Sequence, residues 1–213
     1  MPLGVFLLVH VVTNARALRG PAAFEGAVAF WARLPGLRAL EALVVFAPLL
    51  VHAGVGLWLV VARRPTAEPS PYPPPLRVAV RATAVVALLF LALHLPELRF
   101  RGQAGPPDGG VLRTILEAKL SSTSHGVPWR ALAYLAGSAC VVFHFAAGLW
   151  GFFARTARGA EARARRVAAW SAGALGAVLW LLLADAVVLH ATGARLFGSP
   201  APEVPAEACP PGK

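Results

Sequence analysis

Residues 40–62 read LEALVVFAPLLVHAGVGLWLVVA, an apolar run interrupted by two ionisable side chains, Glu41 and His52. About 20 apolar residues are enough to carry an α-helix across a bilayer, so this stretch reads as a transmembrane span. An ionisable side chain in hydrocarbon costs on the order of several kcal/mol unless it has something to bind. Working outward, residues 2–13, roughly 78–95, 129–154 and 167–192 are also apolar runs bounded by charges. His10, His94 and His144 lie in the first, third and fourth runs of the chain, and His52 lies in the second. The first three histidines are spaced 42 and 42 residues apart, and His144 follows His94 by 50. One imidazole in each of four successive spans suggests haem held within the membrane.

Composition agrees: 57% hydrophobic residues, 14% charged residues and a mean hydropathy of +0.63 mark an integral membrane protein. Backbone in lipid must satisfy its own hydrogen bonds, and no period-2 alternation points to a barrel. The expected fold is therefore all-α, a five-helix transmembrane bundle over residues 1–194 with a Pro/Ala-rich tail over 195–213. The first run is too short for a full crossing and lacks the basic region and cleavage site of a signal peptide. It reads as half a helix, truncated at its amino end, and in-frame codons upstream of Met1 are expected to encode the rest.

A formal charge of +10 invites a nucleic-acid reading, but the basic residues are dispersed between apolar spans. Topology explains them better. The connection between the second and third spans carries Arg63, Arg64, Arg77 and Arg81 against Glu68; the next such connection carries Arg155, Arg158, Arg163, Arg165 and Arg166 against Glu161. The positive-inside rule puts both in the cytoplasm, with the amino terminus inside and the carboxyl tail outside. Alternating directions then place His10 and His94 about a turn below the outer surface. His52 and His144 fall about 18 to 22 Å down at 1.5 Å per residue, so two bis-imidazole sites about 15 Å apart are expected. Such spacing suits electron transfer between two haems.

Gly54 and Gly56 follow His52, and Ala146, Ala147 and Gly148 follow His144, leaving room for a macrocycle; small residues also simply permit close helix packing. Pro48, four residues before His52, is expected to kink its helix and re-aim the imidazole. Cys140 and Cys209 make no C-x-x-C-H motif, so the haems would be non-covalent b-type. There is no phosphate loop, dinucleotide fingerprint or Ser/His/Asp arrangement.

The segment from GVFLLVHVVTNAR through FAPLLVHAGVGLWL, then FLALHLPELRF and VVFHFAAGLWGF, resembles the cytochrome b membrane anchors of di-haem, menaquinone-linked succinate dehydrogenases and fumarate reductases. The resemblance runs essentially through the fifth span. It implies a complex II anchor of the respiratory chain and tricarboxylic acid cycle in a bacterial inner membrane, with two haem b as cofactors and menaquinone as substrate. His10 and His94 would hold the distal haem, and His52 and His144 the proximal one. A flavoprotein subunit would oxidise succinate, and an iron-sulfur subunit would pass electrons to the proximal haem, so this chain would not itself act on succinate.

Three departures from the family pattern stand out. No Arg-Arg-Leu-His-Ser type stretch precedes the first span. The longer interval before His144 is expected to reflect an insertion at RGQAGPPDGG, residues 101–110. Val142 stands where some fumarate reductases carry an acid of a proton path. Glu25 and Glu41 are candidates for handling quinone protons, or else solvated loop carboxylates. Asp185 is a candidate for proton conduction or for a helix–helix hydrogen bond. His190 reads as an interfacial histidine and His125 as a solvated loop residue, while Trp31, Trp58, Trp129 and Trp150 read as interfacial anchors. The competing readings are a haem-free helical transporter or assembly factor whose histidines line an ion path, and the cytochrome b of another respiratory complex.

Overall fold

The computed structural model describes residues 2–62, 72–100, 108–157 and 161–197, and the regular elements among them are helices. Arg63, Arg64, Glu68 and Arg158 of the basic connections, residues 101–107 of the expected insertion, and the tail beyond 197 with Cys209 lie outside the described residues.

Among the described residues seven helices follow one another: α1 (Pro2–Ala15), α2 (Pro21–Ala32), α3 (Leu37–Val61), α4 (Pro74–Leu95), α5 (Gly109–Leu120), α6 (Trp129–Thr156) and α7 (Ala162–Thr192). Four are long and apolar enough to cross a membrane: α3, α4 with the turn that extends it to Arg99, α6 and α7. The protein is a multi-pass helical membrane protein. The expected count of five is reached only if α1 is included, and its 14 residues make a rod of about 21 Å against a hydrocarbon core of about 30 Å. Even so, α1 packs into the bundle, where Val11 is fully buried against Val142 of α6 and Leu179 of α7.

The helices differ in how much of their apolar surface other helices cover. In the most apolar stretch of α7, 33% is buried, but only 6% in those of α3 and α4. Lipid is as apolar as a leucine face, so an uncovered span is stable in a bilayer, and close helix contacts arise where small residues let backbones approach. One such seam joins α6 and α7: a methyl added at Gly176 would come within 2.9 Å of Ala146 Cβ, and Trp180 Nε1 donates to the Leu135 carbonyl at 3.3 Å.

Two expectations about connections need correcting. Arg77 and Arg81 stand in α4, and Arg163, Arg165 and Arg166 in the first turns of α7, because both helices begin before their apolar runs do. Long arginine side chains reach back toward the interface from such positions. The connections between α1 and α3 and between α4 and α6 are not simple loops either, since they contain α2 and α5. Gly20, at φ +112°, ends a 3₁₀ turn and lets Pro21 open α2 at the helix position that tolerates it best. Asp108 caps α5 by accepting the Val111 N–H at 2.9 Å. Phe24 and Val28, one turn apart on α2, face Leu116 and Leu120, one turn apart on α5. With Ala131, Tyr134 and Val187 these form a core closing the end of the bundle that carries His10 and His94.

Both membrane helices with a proline near a histidine widen there into a π turn. In α3 it spans Ala42–Phe46, just before Pro48, and at the end of α4 it spans Pro96–Phe100. Proline lacks an N–H and crowds the preceding turn, so a local widening accommodates it. A π turn thus precedes Pro48, where the sequence led to the expectation of a kink.

Candidate functional site

The four span histidines meet in two pairs. His10 of α1 faces His94 of α4 with ring centroids 5.9 Å apart and planes at 86°. His52 of α3 faces His144 of α6 at 6.0 Å and 68°. Two imidazoles bound through nitrogen to opposite faces of one metal ion stand roughly 6 Å apart, centre to centre, at about 2 Å per metal–nitrogen bond. On α6, Tyr134 touches the His94 ring and His144 lies ten residues further on. On α4, fourteen residues separate His94 from Val80, whose carbonyl is beside His144. These intervals correspond to about 15 and 21 Å along the two helices.

Other features of the pairs fit a haem. His94 Nδ1 is buried without a hydrogen-bond partner, a state that costs about 1–3 kcal/mol unless a ligand satisfies it. His144 Nδ1 donates to the Val80 carbonyl at 3.3 Å, which orients the ring and leaves Nε2 available. Near the second pair, a methyl built at Gly54, Gly56 or Gly148 would meet no atom within 4 Å; Gly56 and Gly148 each follow a paired histidine by four residues on the same helix face, whereas Gly54, two residues after His52, points away from it. Among the described residues no three His, Cys, Asp or Glu side chains converge to hold a metal ion.

The first pair sits in an aromatic collar that the sequence reading did not single out. Phe6 lies 5.6 Å from His10, and Phe90 and Tyr134 lie 5.3 and 5.7 Å from His94. The signal was available: each phenylalanine precedes its histidine by four residues, the spacing of neighbours on one helix face. Phe90 reaches this position over Gly137 of α6, where any added methyl would overlap its ring.

Beyond the collar the site becomes polar. Glu97 pairs with Arg130, lies 3.4 Å from Lys119 Nζ, and accepts the Tyr134 hydroxyl at 3.3 Å. Arg99 pairs with Glu41, joining the π turn of α4 to the helix turn just before the π turn of α3. Trp31 Nε1 donates to Thr13 Oγ1 at 3.0 Å, so this tryptophan, expected as an interfacial anchor, ties α2 to α1.

Several expected roles shift in this setting. Glu41 is an ion-paired residue of α3, not a loop carboxylate. Glu25 belongs to α2 and accepts from Arg113 Nε at 2.9 Å, while Arg113 also donates to Glu117 at 2.9 Å. The hydrogen bonds that Arg113 donates to Glu25 and Glu117 hold its guanidinium above its ordinary pKa. Asp185, 3% exposed, accepts the Leu196 N–H at 2.6 Å after Gly193, at φ +73°, ends α7 and turns the chain back. His190, expected at the interface, is 7% exposed and lies 5.8 Å from Phe24, because α2 docks over it. His125 is exposed, as expected, at a positive φ of 53°. Val142 is buried in the apolar core. Trp58 and Trp129 present exposed rings, as anchors would, while Trp150 packs on Tyr72 at 5.4 Å.

No family model matches the chain, and no solved structure matches it. Among curated proteins it is similar to the succinate dehydrogenase cytochrome b558 subunit of Bacillus subtilis (strain 168). Identity is 32% over 154 residues, which span 71% of this chain and 72% of the relative.

Proposed function

The chain belongs to the family of succinate dehydrogenase cytochrome b subunits, and on that premise we propose that it anchors a complex II enzyme in the membrane and conducts electrons between an iron-sulfur subunit and menaquinone through two haems b. The observation that carries this reading is the meeting of four histidines from four helices as two pairs, each about 6 Å between ring centres. His52 and His144 hold the proximal haem, and His10 and His94 the distal one. Haem b, when bound, supplies a one-electron carrier at each pair, at a potential set by its ligands and their surroundings.

The remaining steps belong to the chain's own side chains. Val80 fixes the tautomer and tilt of His144 through its carbonyl. Phe6, Phe90 and Tyr134 hold the His10 and His94 rings by contact and keep water from them. Quinone reduction consumes protons and quinol oxidation releases them. Glu97 with its Arg130, Lys119 and Tyr134 partners, and Glu41 with Arg99, supply exchangeable protons at the end nearest the distal pair. Glu25 is a weaker candidate, being held by Arg113 within the helical cap, and Asp185 serves the fold-back after α7.

The assembly is placed in a bacterial inner membrane with the amino terminus inside. The basic ends of α6 and α7 then face the cytoplasm, where the flavoprotein and iron-sulfur subunits dock. The test is purification of the tagged chain from its native membrane. A flavoprotein and an iron-sulfur protein should co-purify, with a reduced-minus-oxidised spectrum of low-spin haem b and haemochrome quantification of two haems per chain. A folded preparation without a Soret band would reject the reading.

A further inference from the structure

Two cavities away from the histidines adjoin one another on the outside of the α6–α7 seam. One, of about 460 Å³, lies where α6 ends and α7 begins, and Arg165 and Arg166 line it beside Trp150 and Ala169. The other, of about 470 Å³, shares Trp150 and Ala169 and runs along both helices deeper into the bundle. None of the four paired histidines lines either one. Together they make a single groove with a cationic mouth and an apolar channel.

The channel follows α6 from Trp150 back to Ala139 and α7 from Ala169 on to Trp180, a separation of eleven positions on each helix. At 1.5 Å per residue this is about 16 Å, close to half of the roughly 30 Å hydrocarbon core, which is the depth of one leaflet. Its walls are largely small residues, Ala147, Gly173 and Ala177 among them, so the groove stays open between two tryptophan rings. At the mouth the Arg165 and Arg166 side chains are exposed and make no hydrogen bond or ion pair among the described residues. Two adjacent unpaired guanidiniums at a membrane surface attract a phosphate, which they bind with fork geometry. Basic pockets between membrane helices that open into an apolar groove suit a lipid headgroup with its chain attached.

We infer that this groove binds an anionic phospholipid, its headgroup phosphate held by Arg165 and Arg166 and one acyl chain lying between Trp150 and Trp180. The site does not rest on the haem reading; it needs the membrane location and a groove mouth that the partner subunits docking at the same end leave clear.

The experiment is a lipid titration of the purified complex by native mass spectrometry, with phosphatidylglycerol as the anionic probe and phosphatidylcholine as the zwitterionic one. Two variants are compared with the unaltered protein: the double substitution Arg165→Ala with Arg166→Ala, and Gly173→Leu, which fills the channel at a position with no atom within 4 Å of an added methyl. Phosphatidylglycerol binding should weaken roughly 10- to 30-fold in the arginine variant. It should weaken comparably in Gly173→Leu, while phosphatidylcholine, whose choline cation offsets the phosphate charge, should bind the unaltered protein more weakly than phosphatidylglycerol does and lose less in the arginine variant. Unchanged phosphatidylglycerol binding in either variant would overturn the assignment. So would an arginine variant that sheds its partner subunits while keeping its lipid, since the pair would then be a protein contact.

Discussion

At one end of the bundle His10 and His94 meet inside a collar of Phe6, Phe90 and Tyr134, beneath the α2–α5 cap and beside the ion pairs of Glu97 and Glu41. Deeper in, His52 and His144 meet at nearly the same separation with glycines for neighbours, and His52 is exposed on a helix of which little is covered. The same pair geometry is thus held by two different means. Side-chain packing fixes the first pair. A backbone hydrogen bond from His144 and the flanking open space define the second, so the cofactor itself is expected to complete it. The contrast also separates chemistries: among the described residues the ion-paired carboxylates Glu97 and Glu41 gather at the first pair, where the proposed quinone turnover would use them.

The contrast breaks most sharply on glycines. Gly148→Leu projects into open space, so the fold should persist with a melting temperature within about 2 °C of the original, on the packing costs known for uncrowded sites. Absorbance should nevertheless show loss of one haem, the proximal one. Full haem content in that variant would mean that the macrocycle does not use the space beside His144. At the first pair the opposite is expected: Gly137→Leu drives into Phe90 and should destabilise by roughly 1–3 kcal/mol, read as a lower unfolding temperature together with a broadened distal haem band. A smaller effect is expected from Glu97→Gln. Removing one negative charge near the first pair should raise the distal haem potential by roughly a few tens of millivolts and leave the proximal one unmoved, as redox titration would show. Equal movement of both potentials would erase the electrostatic difference between the ends.

The four long helices were legible because each carries a long apolar run with few charges, and the histidine pairing followed from alternating helix directions and from depth counted along them. The short helices α2 and α5 escaped that reading. Each buries only a turn-spaced pair, Phe24 with Val28 and Leu116 with Leu120, and those faces acquire meaning only against each other. What depended on the cap was hidden with it. Glu25 finds Arg113 across 88 residues, Glu41 finds Arg99 across 58, and His190 is buried because α2 covers it. Helix ends were misplaced for a related reason: Arg77, Arg81 and Arg163 to Arg166 are polar, yet α4 and α7 run through them because arginine is a good helix former whose charge reaches the interface.

The central claim is that each pair holds its own haem, and haemochrome quantification with low-temperature reduced-minus-oxidised spectra on four single variants tests it most directly. His10→Ala and His94→Ala should each lose the same spectral component and keep the other. His52→Ala and His144→Ala should each lose the second component and keep the first. A crossed pattern, in which His10→Ala and His52→Ala abolish the same component, or variants that all retain the original haem content, would contradict the account.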